Sequence, residues 1–174
     1  YQKIIGQLGI GVIATLYCYK NSFIGSTIEL PFCDVTVDIK WWFLPFCLFI
    51  YIAMTNAVNL TDGLDGLVAK SSSVNLVFYI LIIYVCFYKA IQMGQTFYAE
   101  QLLSLEFFAA AMLGGMLAFI WHNNHPAKIF MGDTGSLAMG GALACFAIFI
   151  SQPLIILLTG IMYIVSCISV ILQV

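Results

Sequence analysis

Asn56, Asn59, Asp62 and Asp65 stand three residues apart in the stretch NAVNLTDGLDG (56–66), two amides followed by two carboxylates. Such a set offers oxygen ligands for a hard cation and hydrogen-bonding groups for a polar substrate. It overlaps and follows an apolar run, Trp41 to Ala57, long enough to enter a membrane, in a chain with only 8% charged residues. An ionisable side chain at the end of a membrane segment is costly and marks a functional site by default. At about 100° per residue, steps of three drift by about −60° around a helix, so Asn56 and Asp65 fall on opposite faces of a straight one. They converge only where the helix tightens or ends. Gly63 and Gly66 suit such a turn, because glycine accepts the left-handed backbone that ends helices. The plainer alternative is a helix end whose Asn and Asp side chains cap the backbone and face water.

A second candidate element is FMGDTGSLAMGG (130–141), in which Asp133 precedes an apolar helix with Thr134, Ser136 and glycines beside it. A helix start has free N–H groups and positive dipole character, which suits phosphate. A carboxylate there can hold Mg²⁺, which takes one or two carboxylates plus substrate oxygens and waters. An ordinary Asp N-cap is the competing reading, worth about 1 kcal/mol; Asp62 and Asp65 on the same face favour a metal-phosphate site. His122 and His125 are only two ligands and read as a wetted polar loop. Asn123 and Phe130 are better placed for a nucleotide, since an amide can read a base edge and an aromatic face can stack on a base.

The elements that must carry these residues are membrane helices. The chain is 63% hydrophobic, with a mean hydropathy of +1.04. Ordinary soluble domains are about 25% charged. With six Lys, no Arg and a net charge of −2, it has no electrostatic footprint for nucleic acid. The expected fold is all-α, a polytopic bundle of about six spans forming one transmembrane domain. The spans are expected near 4–19, 41–58, 74–90, 105–121, 135–150 and 153–174, each close to the ~20 residues a bilayer needs. Residues 22–40 read as a small hairpin outside the hydrocarbon, with strands at Ser26–Phe32 and Val35–Ile39, followed by Trp41 and Trp42 at a water interface. Tyr88–Ser104 is expected to be an external loop. The cysteines read as small buried hydrophobes, except Cys33. Two spans separate the 62–65 turn from Asp133, so those acids are expected on one side of the membrane, with Lys70, Lys128 and Gln173. Lysine counts do not orient the bundle.

NAVNLTDGLDGL (56–67), NNHPAK (123–128) and FMGDTGSLAMGGALA (130–144) closely resemble the phospho-N-acetylmuramoyl-pentapeptide-transferase family (MraY, translocase I) of the polyprenyl-phosphate sugar-1-phosphate transferases. ELPF (29–32) and SVILQV (169–174) resemble it too. The resemblance implies a ten-helix, Mg²⁺-dependent enzyme of the bacterial inner membrane with a cytoplasmic active site. Its reaction would move phospho-MurNAc-pentapeptide from UDP-MurNAc-pentapeptide to undecaprenyl phosphate, giving lipid I and UMP. By motif position, Asp133 matches the metal-binding aspartate and Asp62 a second essential acid. Asp65 and Asn123 match uridine-side contacts, Phe130 the uracil-stacking aromatic and Gln173 a residue lining the nucleotide-sugar site. Asn56, Asn59, Gly63 and Leu64 complete the expected substrate-binding set.

The family's paired-aspartate motif would precede Tyr1 and its histidine-rich loop would follow Val174. The 174 residues are therefore expected to be the middle spans, roughly helices four to nine, and inactive alone. Ser166 stands where an acidic residue is usual, and His122 where an aromatic is. Two other functions remain open: a related transferase using another UDP-HexNAc, and an ion-coupled transporter, which would place its acids mid-bilayer. Assembly as a homodimer is left open as well.

Overall fold

The computed structural model describes residues 2–31, 33 and 35–173, with only the backbone of Gln2, Ile171 and Gln173. In chain order the elements are α1 (Gln2–Lys20), β1 (Thr27–Glu29), β2 (Thr36–Asp38), a 3-10 turn (Lys40–Trp42), α2 (Phe43–Thr61), α3 (Leu67–Gln92) and α4 (Thr96–Asn123). Next come α5 (Gly132–Phe149), a second 3-10 turn (Pro153–Ile155), α6 (Ile156–Thr159) and α7 (Ile161–Gln173). They group into two compact units. One comprises Tyr1–Thr61 with Asp133–Val174, the other Asp62–Gly132.

In the first unit α1 packs on α2. The side of α1 that is buried carries Gln7, Gly11, Thr15 and Cys18, spaced three or four apart as one helix face requires. Gly11 sits where a Cβ would come within 2.8 Å of Leu48 and 2.9 Å of Tyr51. The α2–α5 contact is tighter still. A Cβ on Gly140 would lie 2.7 Å from Thr55 Cα and 2.9 Å from the Met54 carbonyl, backbone atoms that cannot yield. Gly140→Ala is therefore expected to push α5 off α2 and destabilise the unit by about 1–3 kcal/mol. A lower midpoint of thermal unfolding in detergent would show it, and an unchanged one would contradict the packing.

The β-hairpin is antiparallel, with Thr27 opposite Asp38 and Glu29 opposite Thr36. Its strands are shorter than expected, and Phe32 and Asp34 lie outside the described residues. Polar ties hold it. Ser26 Oγ donates to Asp38 Oδ1 at 2.5 Å, and the Glu29 N–H donates to the Ser151 carbonyl at 2.8 Å.

The second unit is a helical hairpin. Burial recurs every seventh residue, at Ala69, Leu76, Ile83 and Ala90 on α3 and at Leu102, Ala109, Met116 and Asn123 on α4, the spacing of a helix–helix seam. The expected loop at 88–104 is replaced by a three-residue turn, Met93–Gln95, with left-handed Gly94 (φ 71°). The polar residues there mark where the helices leave hydrocarbon, not where they end. At about 1.5 Å per residue, α4 with 28 residues overruns a core of about 30 Å.

Among the described residues four helices, over 40–61, 67–92, 96–123 and 132–149, are long and apolar enough to cross a membrane, and a bent pair over 153–170 makes up to five, beside the about six spans expected. Lys3, Gln7 and Lys20 make α1 too polar to reach that measure. The last apolar run is not one straight helix; it bends by 72° at Gly160. There a Cβ would meet the Ile156 carbonyl at 2.6 Å, so only glycine fits the break. A polytopic membrane bundle is nonetheless the fold.

Candidate functional site

In the first unit Asp133 lies in the first turn of α5, where free N–H groups favour a negative charge. Gly132 opens that helix with φ 66°. Asn59, near the end of α2, donates through Nδ2 to Asp133 Oδ1 at 2.9 Å and to Ser136 Oγ at 2.8 Å. Lys3 Nζ pairs with the other carboxylate oxygen, Oδ2. Asp133 keeps 56% of its side chain exposed and Lys3 60%. Asn56, one turn back along α2, does not join this cluster. Its Nδ2 bonds the Ile52 carbonyl at 2.7 Å, and it faces Gln7 of α1 at 3.4 Å. The two amides thus divide: Asn56 belongs to the helix seam and Asn59 to the carboxylate.

The second unit builds its own cluster where α3 begins and α4 ends. Helix α2 stops at Thr61, and a turn carries Asp62, Gly63, Leu64 and Asp65 to Gly66. The left-handed residue is Gly66 (φ 73°), immediately before α3. Gly63 has open space around it and Leu64 is exposed. Asp65 Oδ2 accepts the Ala127 N–H at 3.1 Å and contacts His125 Nδ1 at 3.0 Å. Asn123 is buried. Its Oδ1 accepts the Gly66 N–H at 3.1 Å and its Nδ2 donates to the Ile129 carbonyl at 2.8 Å. Lys70 Nζ donates to Asn124 Oδ1 at 2.7 Å. These bonds order the segment after α4 and leave Phe130 exposed beside them. Asp65 and Asn123 thus shape the loop that carries the aromatic face.

The Ala127 N–H, and then His125, hold the Asp65 carboxyl below the ordinary carboxylate range. A folded-state value below the unfolded one contributes stability above the unfolded value and loses it as pH falls through the folded one. The tie is therefore expected to persist at neutral pH and to open only below about pH 4. Hydrogen exchange at the Ala127 amide should show protection in that pattern. Asp65→Ala should remove it at pH 7, and unaltered protection in the variant would contradict the tie.

Ser136, already noted beside Asp133, joins the site, and Lys3 is a neighbour that the motifs did not single out. The clue is periodic: Lys3 lies one turn before Gln7 on the seam face of α1. His125 is exposed, as a wetted polar loop implies, and it also contacts Asp65. The Gln173 side chain lies outside the described residues.

A divalent cation would find oxygen donors at Asp133, Asn59 and Ser136. No group of three or more His, Cys, Asp or Glu among the described residues is placed to hold a metal. One exposed carboxylate at a helix start fits Mg²⁺, which completes its shell with waters and phosphate oxygens, better than zinc, which wants a closed set of protein ligands.

Residues 1–151 match the model of a family described as Glycosyl transferase family 4. The chain is 42% identical over 173 residues to a phospho-N-acetylmuramoyl-pentapeptide-transferase of Listeria monocytogenes serotype 4b (strain CLIP80459), covering 99% of this chain and 49% of that one. Like-named proteins of Thermoanaerobacter sp. (strain X514) and Desulfitobacterium hafniense (strain DSM 10664 / DCB-2) are 39% and 41% identical. They cover 99% and 100% of this chain, and the chain covers 50% and 51% of them. The chain spans about half the length of the curated relatives it matches.

Proposed function

The chain belongs to glycosyl transferase family 4, and from that premise we propose that it forms part of a phospho-N-acetylmuramoyl-pentapeptide-transferase. The reaction is transfer of phospho-MurNAc-pentapeptide from UDP-MurNAc-pentapeptide to undecaprenyl phosphate, yielding lipid I and UMP. The observation that carries the reading is Asp133 in the first turn of α5, with Asn59 aligned on its Oδ1, in a chain about 40% identical to relatives bearing that name.

Phosphoryl transfer needs positioning and charge neutralisation more than covalent protein chemistry. Asp133 would hold Mg²⁺, and Asp62 would be a second essential acid. Mg²⁺ held at Asp133 would supply charge neutralisation for the diphosphate and the leaving UMP oxygen. Asn59 fixes the Asp133 carboxylate so that its oxygens face one direction. Phe130 offers its exposed ring to uracil, and Asp65 and Asn123 serve the uridine side while ordering the loop beneath it. Gly63 and Leu64 leave the turn open to the substrate. In this reading the protein sits in the bacterial inner membrane with Asp62 and Asp133 on the cytoplasmic face. Asp62 directly follows the last residue of α2 and Asp133 stands in the first turn of α5. Acids at helix ends suit an interfacial enzyme better than a transporter with a midplane site.

The test is a radiolabel transfer assay with the full-length protein and undecaprenyl phosphate, comparing UDP-MurNAc-pentapeptide with UDP-GlcNAc. A lipid product from the first donor alone is expected. A product from UDP-GlcNAc would assign the related hexosamine transferase, and no product from either would overturn the enzyme reading.

A further inference from the structure

Asp133 carries two partners, and only one of them is neutral. Asn59 takes Oδ1 and the Lys3 ammonium takes Oδ2. Lys3 reaches Asp133 from the start of α1, 130 residues away in sequence. Gln7, one turn further on, faces Asn56, so the Lys3 end of α1 is registered on α2 by a second polar contact. A cation at Oδ2 and an ammonium at the same oxygen repel each other, since both are positive within a few ångströms. The pair is exposed on both sides, and exposed pairs are weak enough to exchange.

We propose that Lys3 competes with the divalent cation for Asp133 and that, once displaced, its ammonium binds a phosphate oxygen of the nucleotide sugar. The inference rests on the metal role proposed for Asp133. Lys3 then does two things. It balances the Asp133 charge when no cation is bound, and it joins the anion-binding set when substrate and cation arrive together. A lysine is suited to this exchange: it is a compact point charge on a flexible stem, with three donors and no fixed fork geometry. The stem lets Nζ leave Oδ2 without moving α1. Cation and nucleotide sugar would consequently bind with positive coupling, because each arrival favours the same displaced position of Lys3.

The test uses full-length protein in detergent, with Mn²⁺ as the cation probe read by electron paramagnetic resonance. UDP-MurNAc-pentapeptide binding is measured without lipid acceptor, so that no turnover occurs. Lys3→Met should tighten Mn²⁺ by about two- to fivefold, the range expected for losing an exposed ion-pair competitor. The same variant should weaken the nucleotide sugar by about tenfold, through loss of a charge-assisted hydrogen bond. Lys3→Arg keeps the charge, so it should hold the nucleotide sugar close to wild type and should not tighten Mn²⁺. A purely structural role would weaken both ligands together, so opposite signs are the signature. Unchanged or weaker Mn²⁺ binding in Lys3→Met, with helix content retained, overturns the proposal; Lys3→Gln gives the same reading if the Met variant does not fold. Asp133→Asn separates the two levels. Mn²⁺ binding that survives it removes the metal role itself, whereas binding that is lost there but indifferent to Lys3 removes only the competition.

Discussion

Asp133→Asn is expected to lower Mg²⁺-dependent UMP release by about 10²–10³-fold or more, the scale for removing a group that stabilises transition-state charge. Several features make the loss specific to chemistry. The side chain is more than half exposed, so its replacement buries no new polar atom. An Asn keeps an oxygen that can still accept from Asn59, which preserves the α2–α5 contact. What disappears is the negative charge that attracts a cation and holds Lys3. Helix content and thermal midpoint in detergent should therefore stay near those of the wild type while UMP release collapses. Wild-type rates in the variant would remove the metal role; a collapse of both rate and fold would make Asp133 a packing residue.

Phe130→Leu is the second large effect. The ring is exposed and stands next to Ile129, whose carbonyl is pinned by Asn123. A stacked base is worth about 1–3 kcal/mol, so its loss should weaken the nucleotide sugar by roughly fivefold to a hundredfold. Undecaprenyl phosphate has no base, and its apparent affinity should not move. Titrating both substrates against the variant separates the outcomes, and equal weakening of the two would argue against stacking. The backbone support matters as much as the ring, because a leucine in the same ordered loop still buries apolar area but presents no π-face.

Much of the architecture follows from composition. A chain that is 63% hydrophobic and 8% charged must satisfy its backbone polar groups internally in lipid, and helices do so within one segment. Runs of apolar residues accordingly located α2, α3, α4 and α5. Helix ends were harder to see. Polarity marks the edge of hydrocarbon, while hydrogen bonding decides where a helix stops, so α3 and α4 run on into residues that read as a loop. The bend at Gly160 was equally hidden, because a hydrophobic run looks the same whether straight or broken.

The candidate site divides along the same line. Residue types in the two glycine-aspartate motifs determined which side chains could bind a cation, a phosphate or a base, since that capacity is intrinsic to carboxylate, amide and ring. Their partners could not be read in the same way. Asn56 and Asn59 are identical amides three residues apart, yet about 60° of helical offset sends one to Gln7 and the other to Asp133. Nothing local to Lys3 announces Asp133, 130 positions away. Chemistry belongs to the residue, whereas partnership depends on which helix faces meet, and only packing in three dimensions decides that.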